Sequence, residues 1–294
     1  MKLAIYGRVY KPEFQKQLQT IFDFLHTSEV NVFVEESFLI QCKQAELKIK
    51  QTDTFDDYYS LKKLEVDFLI SIGGDGTILD TLTYIQDLEI PVLGINGGRL
   101  GFLAGVGMHN ATRFIGYLLK GHFQVDDRTV LELESNVHLF NGVKYALNDF
   151  VIHKKDTSSM IIIHSYINGE FLNSYWSDGL IIASPTGSTG YSLSCGGPIL
   201  YPTSESFALT PVAPHNLNVR PIIVNDQNIL SFEIEGRATS YLVSLDSRSE
   251  TVNNKAQLAV KKAPFKFKLI RFNEENYLQT LRSKLMWGVD NRNG

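Results

Sequence analysis

Cysteine is scarce in this chain. Cys42 and Cys195 are the two present in 294 residues, too few for a disulfide framework and without metal-ligand spacing. A reducing compartment fits. No uninterrupted apolar run reaches membrane-spanning length. The opening stretch Met1-Lys2-Leu3-Ala4-Ile5-Tyr6-Gly7 lacks the long apolar core and cleavage site of a signal peptide and reads as a first strand. The expectation is a cytoplasmic protein. A basic excess is missing too: 28 Lys and Arg stand against 32 Asp and Glu, a net charge of −4. That gives no electrostatic case for nucleic acid or an anionic membrane surface as partner. The pairs Lys62-Lys63, Lys154-Lys155 and Lys261-Lys262 are expected to be solvated. Internal repeats and low-complexity segments are absent. So are two common nucleotide motifs. Gly116-Tyr117-Leu118-Leu119-Lys120-Gly121 has P-loop glycine spacing, but His122-Phe123 stand where Lys and Ser/Thr are required. No Gly-x-Gly-x-x-Gly follows a strand, so a kinase or dinucleotide site here must be of another type.

What is present is an ordinary globular composition, 44% hydrophobic and 20% charged, in a chain long enough for two domains. Residues 1–125 alternate strand and helix signals. Leu3 to Tyr6, Asn31 to Val34, Val66 to Ile72 and Pro91 to Ile95 read as strands. Phe14, Leu18, Ile21, Phe22 and Leu25 follow helical spacing, and residues 55–64, 77–86 and 110–120 are further helices. This alternation predicts a mostly parallel, Rossmann-like sheet with helices on both faces. Ligands of such sheets bind beyond the carboxyl ends of the strands, where residues 73–77 and 96–102 lie. After residue 126 the pattern becomes short and alternating, as in Leu131-Glu132-Leu133-Glu134. Asn141-Gly142 and Asn168-Gly169 are hairpin signals. Residues 126–271 therefore read as an antiparallel β-sandwich. The tail from Asn276 to Trp287 returns to helical spacing through Tyr277, Leu281 and Leu285. A lone helix needs an apolar surface, and residues 272–294 are expected to pack back on the α/β domain of residues 1–125.

Three segments carry chemistry. The first is Gly73-Gly74-Asp75-Gly76-Thr77, placed after an apolar strand and before a helix. Such a turn lets backbone N–H groups approach phosphate oxygens at a helix N-terminus. A carboxylate there makes sense beside a metal ion or as a proton acceptor. An Asx-turn flanked by conformationally free glycines accounts for the motif equally well. The second is Ser184-Pro185-Thr186-Gly187-Ser188-Thr189-Gly190-Tyr191-Ser192-Leu193-Ser194-Cys195-Gly196-Gly197-Pro198, preceded by Ser177-Asp178 and an apolar strand. A loop so dense in hydroxyls and glycines can surround a polar ligand, and the apolar runs on either side favour function over a plain surface loop. The third is Asn148-Asp149 inside an otherwise apolar strand, a poor core choice without partners. Alone, it reads more simply as a β-bulge or strand end.

Together these segments resemble the NAD kinase family, whose members phosphorylate the adenosine ribose 2′-hydroxyl of NAD to make NADP. The resemblance runs nearly end to end. It rests on Gly73 to Thr77, on Gly94-Ile95-Asn96 with Leu100-Gly101-Phe102-Leu103, on Asn148-Asp149 and on Asp178 through Pro198. The family architecture, an N-terminal α/β domain with a C-terminal β-sandwich, agrees with the pattern above. The resemblance implies that Asp75 is the catalytic base and touches NAD together with Gly76. A carboxylate is far too weak to deprotonate a resting alcohol, so it need only accept the proton as the O–P bond forms in a loose transition state. Gly73, Gly74, Gly76, Thr77 and Arg99 are implied phosphate ligands. Phe102 is placed to pack on adenine. Asn148 and Asp149 match a dinucleotide-contacting Asn-Glu pair, with the acid one methylene shorter here. Asp178 matches an aspartate near the nicotinamide. Thr189, Gly190, Tyr191, Ser192 and Ser194 match the loop lining the NAD pocket, and Ala213 and Arg248 match pocket-wall positions. Trp176 stands where many bacterial relatives carry a basic residue, and Ser159 falls where a basic or histidine ligand is expected. The implied substrates are NAD and ATP, with a divalent cation, Mg²⁺, bridging phosphates and no direct protein ligand assigned to it. A homodimer or homotetramer is implied. His153, His164 and His215 have no mutual metal spacing.

Two other readings compete. A lipid or sugar kinase of the wider superfamily shares the glycine turn, but the loop at 184–198 fits a dinucleotide and no membrane-facing amphipathic segment is evident. A catalytically silent NAD(H) sensor would have no need of Asp75.

Overall fold

In a computed structural model of the chain, the described residues are 1–50, 52–98, 101–155, 160–236, 239–273 and 276–287. They form two compact units, residues 1–126 with the segment from Lys268 onward, and residues 127–267.

The first unit alternates strand and helix. Its elements are β1 (Lys2–Gly7), α1 (Gln15–Thr27), β2 (Asn31–Glu35), α2 (Glu36–Gln44), β3 (Thr54–Phe55), α3 (Tyr58–Leu64), β4 (Phe68–Ile72), α4 (Asp75–Ile85), β5 (Val92–Asn96), β6 (Val106–Gly107) and α5 (Ala111–Leu119). The strands run parallel in the order β3-β2-β1-β4-β5. Continuous apolar runs such as Leu3-Ala4-Ile5 and Leu69-Ile70 are buried on both faces, as a helix-covered parallel sheet requires. Leu18, Ile21, Phe22 and Leu25 of α1 join Ile5, Ile70, Leu93 and Ile115 in one core. Because β2 and β4 flank β1 on opposite sides, the chain reverses its winding direction there, and a crevice opens beyond the ends of β1 and β4. Gly7 and Ile72 are paired at those ends.

Helix α2 was not expected from the sequence; it buries the short face Phe38, Leu39 and Cys42. It forms because the Glu35 carboxylate caps it, accepting from the Phe38 N–H at 2.8 Å. Helix α3 is started by a capping box in which Asp57 and Ser60 bond reciprocally.

The second unit is built from β7 (Gln124–Ser135), β8 (Tyr145–Ala146), β9 (Asp149–Lys154), β10 (Ile161–Ile167), β11 (Glu170–Ser177), β12 (Gly179–Ala183), α6 (Tyr191–Ser194), β13 (Ser206–Val212), β14 (Ile222–Asn225), β15 (Leu230–Glu235), β16 (Ser240–Leu245), β17 (Arg248–Asn253) and β18 (Leu258–Arg271). The last residues of β18, from Lys268, belong to the first unit, where Leu269 pairs with Val92. So does α7 (Tyr277–Leu285), which buries Leu281. One antiparallel sheet has the order β14-β13-β12-β9-β16-β17. Strands β11, β10, β15 and β18 continue in order in the other, with β7 and β8. Phe150, Leu180, Phe207 and Tyr241 of the first sheet share a core with Leu131, Ile163, Phe232 and Val260 of the second. That is a β-sandwich.

Of the turn and lysine expectations, two change. Asn168-Gly169 does close a two-residue turn, with φ of 52° and 83°. Asn141-Gly142 instead sits within the longer connection from Ser135 to Tyr145, next to a further positive φ at Phe140. Lys62, Lys63 and Lys155 are exposed, but the other lysine pairs are not simply solvated. Lys154 bonds the Asp178 carboxylate at 2.6 Å. Lys262 reaches Asp226, whose side chain is fully buried, at 2.8 Å. For Lys262, strand alternation turns the ammonium inward toward a carboxylate that would otherwise be buried without a counter-charge, whereas the Asp178 side chain is part-exposed. Replacing Lys262 by Met should therefore lower unfolding stability by about 3–5 kcal/mol. Urea denaturation measures this, and an unchanged midpoint would show that Asp226 does not need its partner.

Candidate active site

In the first unit the glycine turn occupies the crevice position. Gly73 follows β4, and its N–H bonds the Ile95 carbonyl at 2.9 Å. Helix α4 begins at Asp75 with Gly74 at the cap, and no side chain caps it. Its first N–H groups are thus left for another acceptor, the arrangement that binds anions. Gly73 and Thr77 are packed so closely that a Cβ on Gly73 would lie 2.1 Å from Thr77 Oγ1.

The Asp75 carboxylate does not make the expected local Asx-turn. It reaches across to residues 102–104, accepting from the N–H groups of Phe102 at 2.7 Å, Leu103 at 3.1 Å and Ala104 at 3.0 Å. Gly101 makes this possible, since a Cβ there would lie 1.8 Å from Asp75 Oδ1. The other side of the same segment is also pinned: Arg271 donates to the carbonyls of Phe102 at 2.8 Å and Leu103 at 3.3 Å. Phe102 is thereby set beside Asp75, half-buried. Arg99 and Leu100 lie outside the described residues. Neither Gly101 nor Arg271 stood out as a site residue from sequence; the glycine beside Leu100-Phe102 was the available signal, and Arg271 had none.

In the second unit Asn148 and Asp149 open β9. Their backbone is held by a residue that sequence reasoning passed over. Asp246, in the β16–β17 turn at φ 52°, accepts from the N–H groups of Leu147 at 2.8 Å, Asn148 at 2.7 Å and Asp149 at 3.2 Å. Its signal was faint: an Asp-Ser pair in a turn. Burial drives the Asp149 carboxyl up to about 7, and the charge of Asp246 adds to the shift. Burial raises Asp246 as well, to about 6, against the pull of its three amide donors and of Arg248. Arg248, expected at the pocket wall, donates to the Val143 carbonyl at 2.6 Å and to that of Tyr145. It braces the chain that leads into Asn148.

The hydroxyl-rich segment 184–198 lies across the outer face of the β9-containing sheet. Leu200 packs there on Val151, Ile181, Ala208 and Val212, with Cys195 against the cluster. Many hydroxyls hold the loop's own shape. Ser184 Oγ donates to the Leu147 carbonyl at 2.5 Å, Ser188 Oγ to that of Pro185 at 2.7 Å, and Ser192 Oγ shares a 2.8 Å bond with Thr210. Thr189 donates to the Thr186 carbonyl at 3.1 Å. Gly187 lets the loop touch Asn148, because a Cβ on it would sit 2.0 Å from the Asn148 carbonyl oxygen. Gly190 follows beside the pair, with its Cβ position 3.5 Å from Asn148 Nδ2 and 3.9 Å from Asp149 Oδ2. Tyr191 and Ser194 remain exposed at the surface of this segment.

A second cluster forms at the far end of β9. Lys154 pairs with Asp178, the Asp178 N–H bonds the Val212 carbonyl at 2.9 Å, and the His215 N–H bonds the Trp176 carbonyl at 2.8 Å. Ala213, exposed, takes a left-handed φ of 45°, a strained conformation of the kind that gathers at ligand sites. Ser159 lies outside the described residues. Asp149 and Lys154 are separated by roughly 16 Å, at about 3.3 Å per strand residue.

No group of three His, Cys, Asp or Glu able to hold a metal ion exists among the described residues.

Residues 3–123 match the ATP-NAD kinase N-terminal domain and residues 147–272 the ATP-NAD kinase C-terminal domain. The chain is 46% identical over 294 residues to a protein of Cytophaga hutchinsonii named NAD kinase, with 100% of both chains covered. It is 45% identical over 300 residues to a NAD kinase of Flavobacterium psychrophilum, again over 100% of both. Among solved structures, a yeast NADH kinase complexed with NADH has a TM-score of 0.87 at 22% identity, covering 98% of this chain and 88% of that one. An NAD kinase from Archaeoglobus fulgidus in complex with ATP has a TM-score of 0.75 at 24% identity, covering 97% and 99%. These two establish the fold, an α/β unit with a β-sandwich unit. The chain belongs to the ATP-NAD kinase family.

The raised Asp149 carboxyl makes a prediction about stability. Its folded value lies above its ordinary 3.8, so the acid form suits the fold, and that contribution is lost as pH climbs from 3.8 to about 7. At pH 8 the buried charge should oppose folding by about 2–4 kcal/mol. Asp149→Asn should therefore melt several degrees above the parent at pH 8, with the gap closing toward pH 4. Calorimetry at both pH values checks this; coincident midpoints at pH 8 would show that the charge is compensated.

Proposed function

We propose that this protein transfers the γ-phosphoryl group of ATP to the adenosine ribose 2′-hydroxyl of NAD, giving NADP. The observation that carries the reading is the full-length likeness to proteins named NAD kinase. The chemistry of the residues agrees with it.

Asp75 is the base. The N–H groups of residues 102–104 aim its carboxylate, which takes the hydroxyl proton as the O–P bond forms. The uncapped start of α4, with Gly73, Gly74, Gly76 and Thr77, holds phosphate oxygens. Arg99 is retained as a phosphate ligand from the family resemblance. Mg²⁺ is the proposed cation; when bound it neutralises phosphate charge.

In the first unit Phe102 is retained as an adenine contact from the family resemblance; in the second unit Asn148, Asp149, Thr189, Gly190, Tyr191 and Ser194 are the NAD contacts. Ser192 and Arg248 support this wall through Thr210 and through the backbone before Asn148. Asp178, with Lys154, and Ala213 take the nicotinamide end beside Trp176.

Two cysteines that remain free, and the lack among described residues of any helix long and apolar enough to cross a membrane, accord with a cytoplasmic enzyme. Exposed apolar residues near the edge strand β14, Leu217 at 86% and Ile223 at 51%, accord with a homodimer or homotetramer.

Purified protein given NAD, ATP and Mg²⁺ should form NADP. No NADP with any nucleoside triphosphate or with polyphosphate would overturn the reading. Asp75→Asn should lose roughly 10²–10⁴-fold in turnover while NAD binding survives; retained turnover would refute the base. Gly101→Ala displaces the same carboxylate and should cost about 10²-fold in kcat with little change in the KM for NAD. Normal kcat in that variant would show that the 101–104 contact does not position Asp75.

A further inference from the structure

The residue after β1 has no part in the machinery described so far. Arg8 lies at the switch point of the parallel sheet, where Gly7 of β1 and Ile72 of β4 are paired. Its Nε is 3.5 Å from Asp80 Oδ2 on α4, and the same Asp80 oxygen accepts from the Tyr6 hydroxyl at 3.4 Å. This anchorage sets Arg8 Nη1 beside the glycine turn, 3.9 Å from where a Cβ on Gly76 would be. The rest of the side chain is open, 58% exposed.

Arg8 also forms one wall of a hollow of about 400 Å³ contained in the first unit. Lys11 stands with it on the rim, as do Gly73, Gly74 and Thr77. No acidic side chain is among the lining residues. The floor is different in character: Phe14, Leu18, Phe38 and Met108. A hollow of this size accepts a small-molecule ligand. A basic, glycine-edged rim over an aromatic and aliphatic floor suits a ligand with a polyanionic end and a flat apolar end.

We propose that this hollow seats the donor nucleoside triphosphate and that Arg8 is a ligand of its phosphates. This rests on the kinase reading above and deepens it by naming a donor-binding residue. A guanidinium presents parallel N–H groups that match two phosphate oxygens, and it keeps its charge at any working pH. Asp80 holds Arg8 by one nitrogen, so the side chain is oriented before the phosphate arrives and loses little freedom on meeting it. The NAD contacts assigned to the second unit do not involve this hollow, so removing Arg8 should affect one substrate and spare the other.

The test uses the full chain with Arg8→Ala and Arg8→Lys. ATP is varied at saturating NAD, then NAD at saturating ATP. Arg8→Ala should raise the KM for ATP roughly ten- to a hundredfold, the scale of one charged hydrogen-bonding contact, and leave the KM for NAD within about twofold. Arg8→Lys should recover part of the loss, because the charge stays while the planar fork is gone. Independently of turnover, MgATP should raise the thermal midpoint of the parent protein, and Arg8→Ala should shrink that rise without changing the midpoint measured with no nucleotide. An unchanged KM for ATP, or an equal rise for both substrates, overturns the proposal. A parent protein that makes no NADP from any donor overturns the kinase reading instead, and the MgATP melting shift still decides whether Arg8 binds a triphosphate.

Discussion

A carboxylate taken up by consecutive backbone N–H groups fixes an irregular segment in each unit of this protein. In the α/β unit Asp75 receives the N–H groups of residues 102–104. In the sandwich Asp246 receives those of residues 147–149. Such bonds are charge-assisted and stronger than neutral ones. Three in a row leave the receiving segment little freedom. The device solves a shared problem: a functional segment must stay in an irregular conformation, off the regular ladder, without burying unsatisfied amides. In the first unit the anchored segment and its anchor are both site residues, so the carboxylate that orders the loop is also the one proposed to take a proton. In the second unit the tasks are divided. Asp246 does the anchoring, and Asn148 and Asp149, proposed to meet NAD, are the segment it anchors.

That division explains which parts were legible in the sequence. The parallel sheet was readable because unbroken apolar strands such as Leu69-Ile70 and periodic helices such as Leu18-Ile21-Phe22-Leu25 depend on local pattern. The Asn168-Gly169 turn was readable for the same reason. Asn141-Gly142 misled because the dipeptide permits a tight turn without dictating the strand ends that flank it. Helix α2 was missed since its start depends on a single cap from Glu35. Asp246 and Arg271 were invisible because they act at long range, Asp246 on residues nearly a hundred positions earlier and Arg271 on Phe102. The glycines carried more than was read from them. Gly101 and Gly187 are there for close approach to Asp75 and to the Asn148 carbonyl, and a sequence shows a glycine without showing what comes near it.

The loop at 184–198 shows how a segment can look like a polar cradle and be a framework. Its density of serine and threonine suggested hydroxyls pointed at a ligand. Most described ones instead tie the loop to itself or to the sheet beneath, Ser184 to Leu147, Ser188 to Pro185 and Ser192 to Thr210. An irregular segment lying over an apolar sheet face must satisfy its polar groups internally, and small hydroxyl residues do that with little volume. What is offered outward is the backbone around Gly190, Tyr191 and Ser194. A rigid loop that meets a ligand with few groups loses little entropy on binding.

Strand β9 fixes the spacing of the two polar clusters of the sandwich unit. Its opening residue is a buried acid beside Gly190, and its closing residue is a lysine bonded to Asp178. The residues between them, Phe150 to His153, are fixed by pairing on both sides with β12 and β16, so the distance from one cluster to the other cannot adjust. Asp149 and Lys154 are five residues apart, so the pleat turns their side chains to opposite faces of the sheet. Asp149 shares its side with Val151, under the 184–198 loop, and Lys154 shares the side of Phe150 and Ile152. The two clusters are held apart in direction as well as in distance. The acid at the start of β9 is held at an energetic disadvantage: burial pushes Asp149 toward its neutral form, and the nearby charge of Asp246 adds to the cost of ionising it.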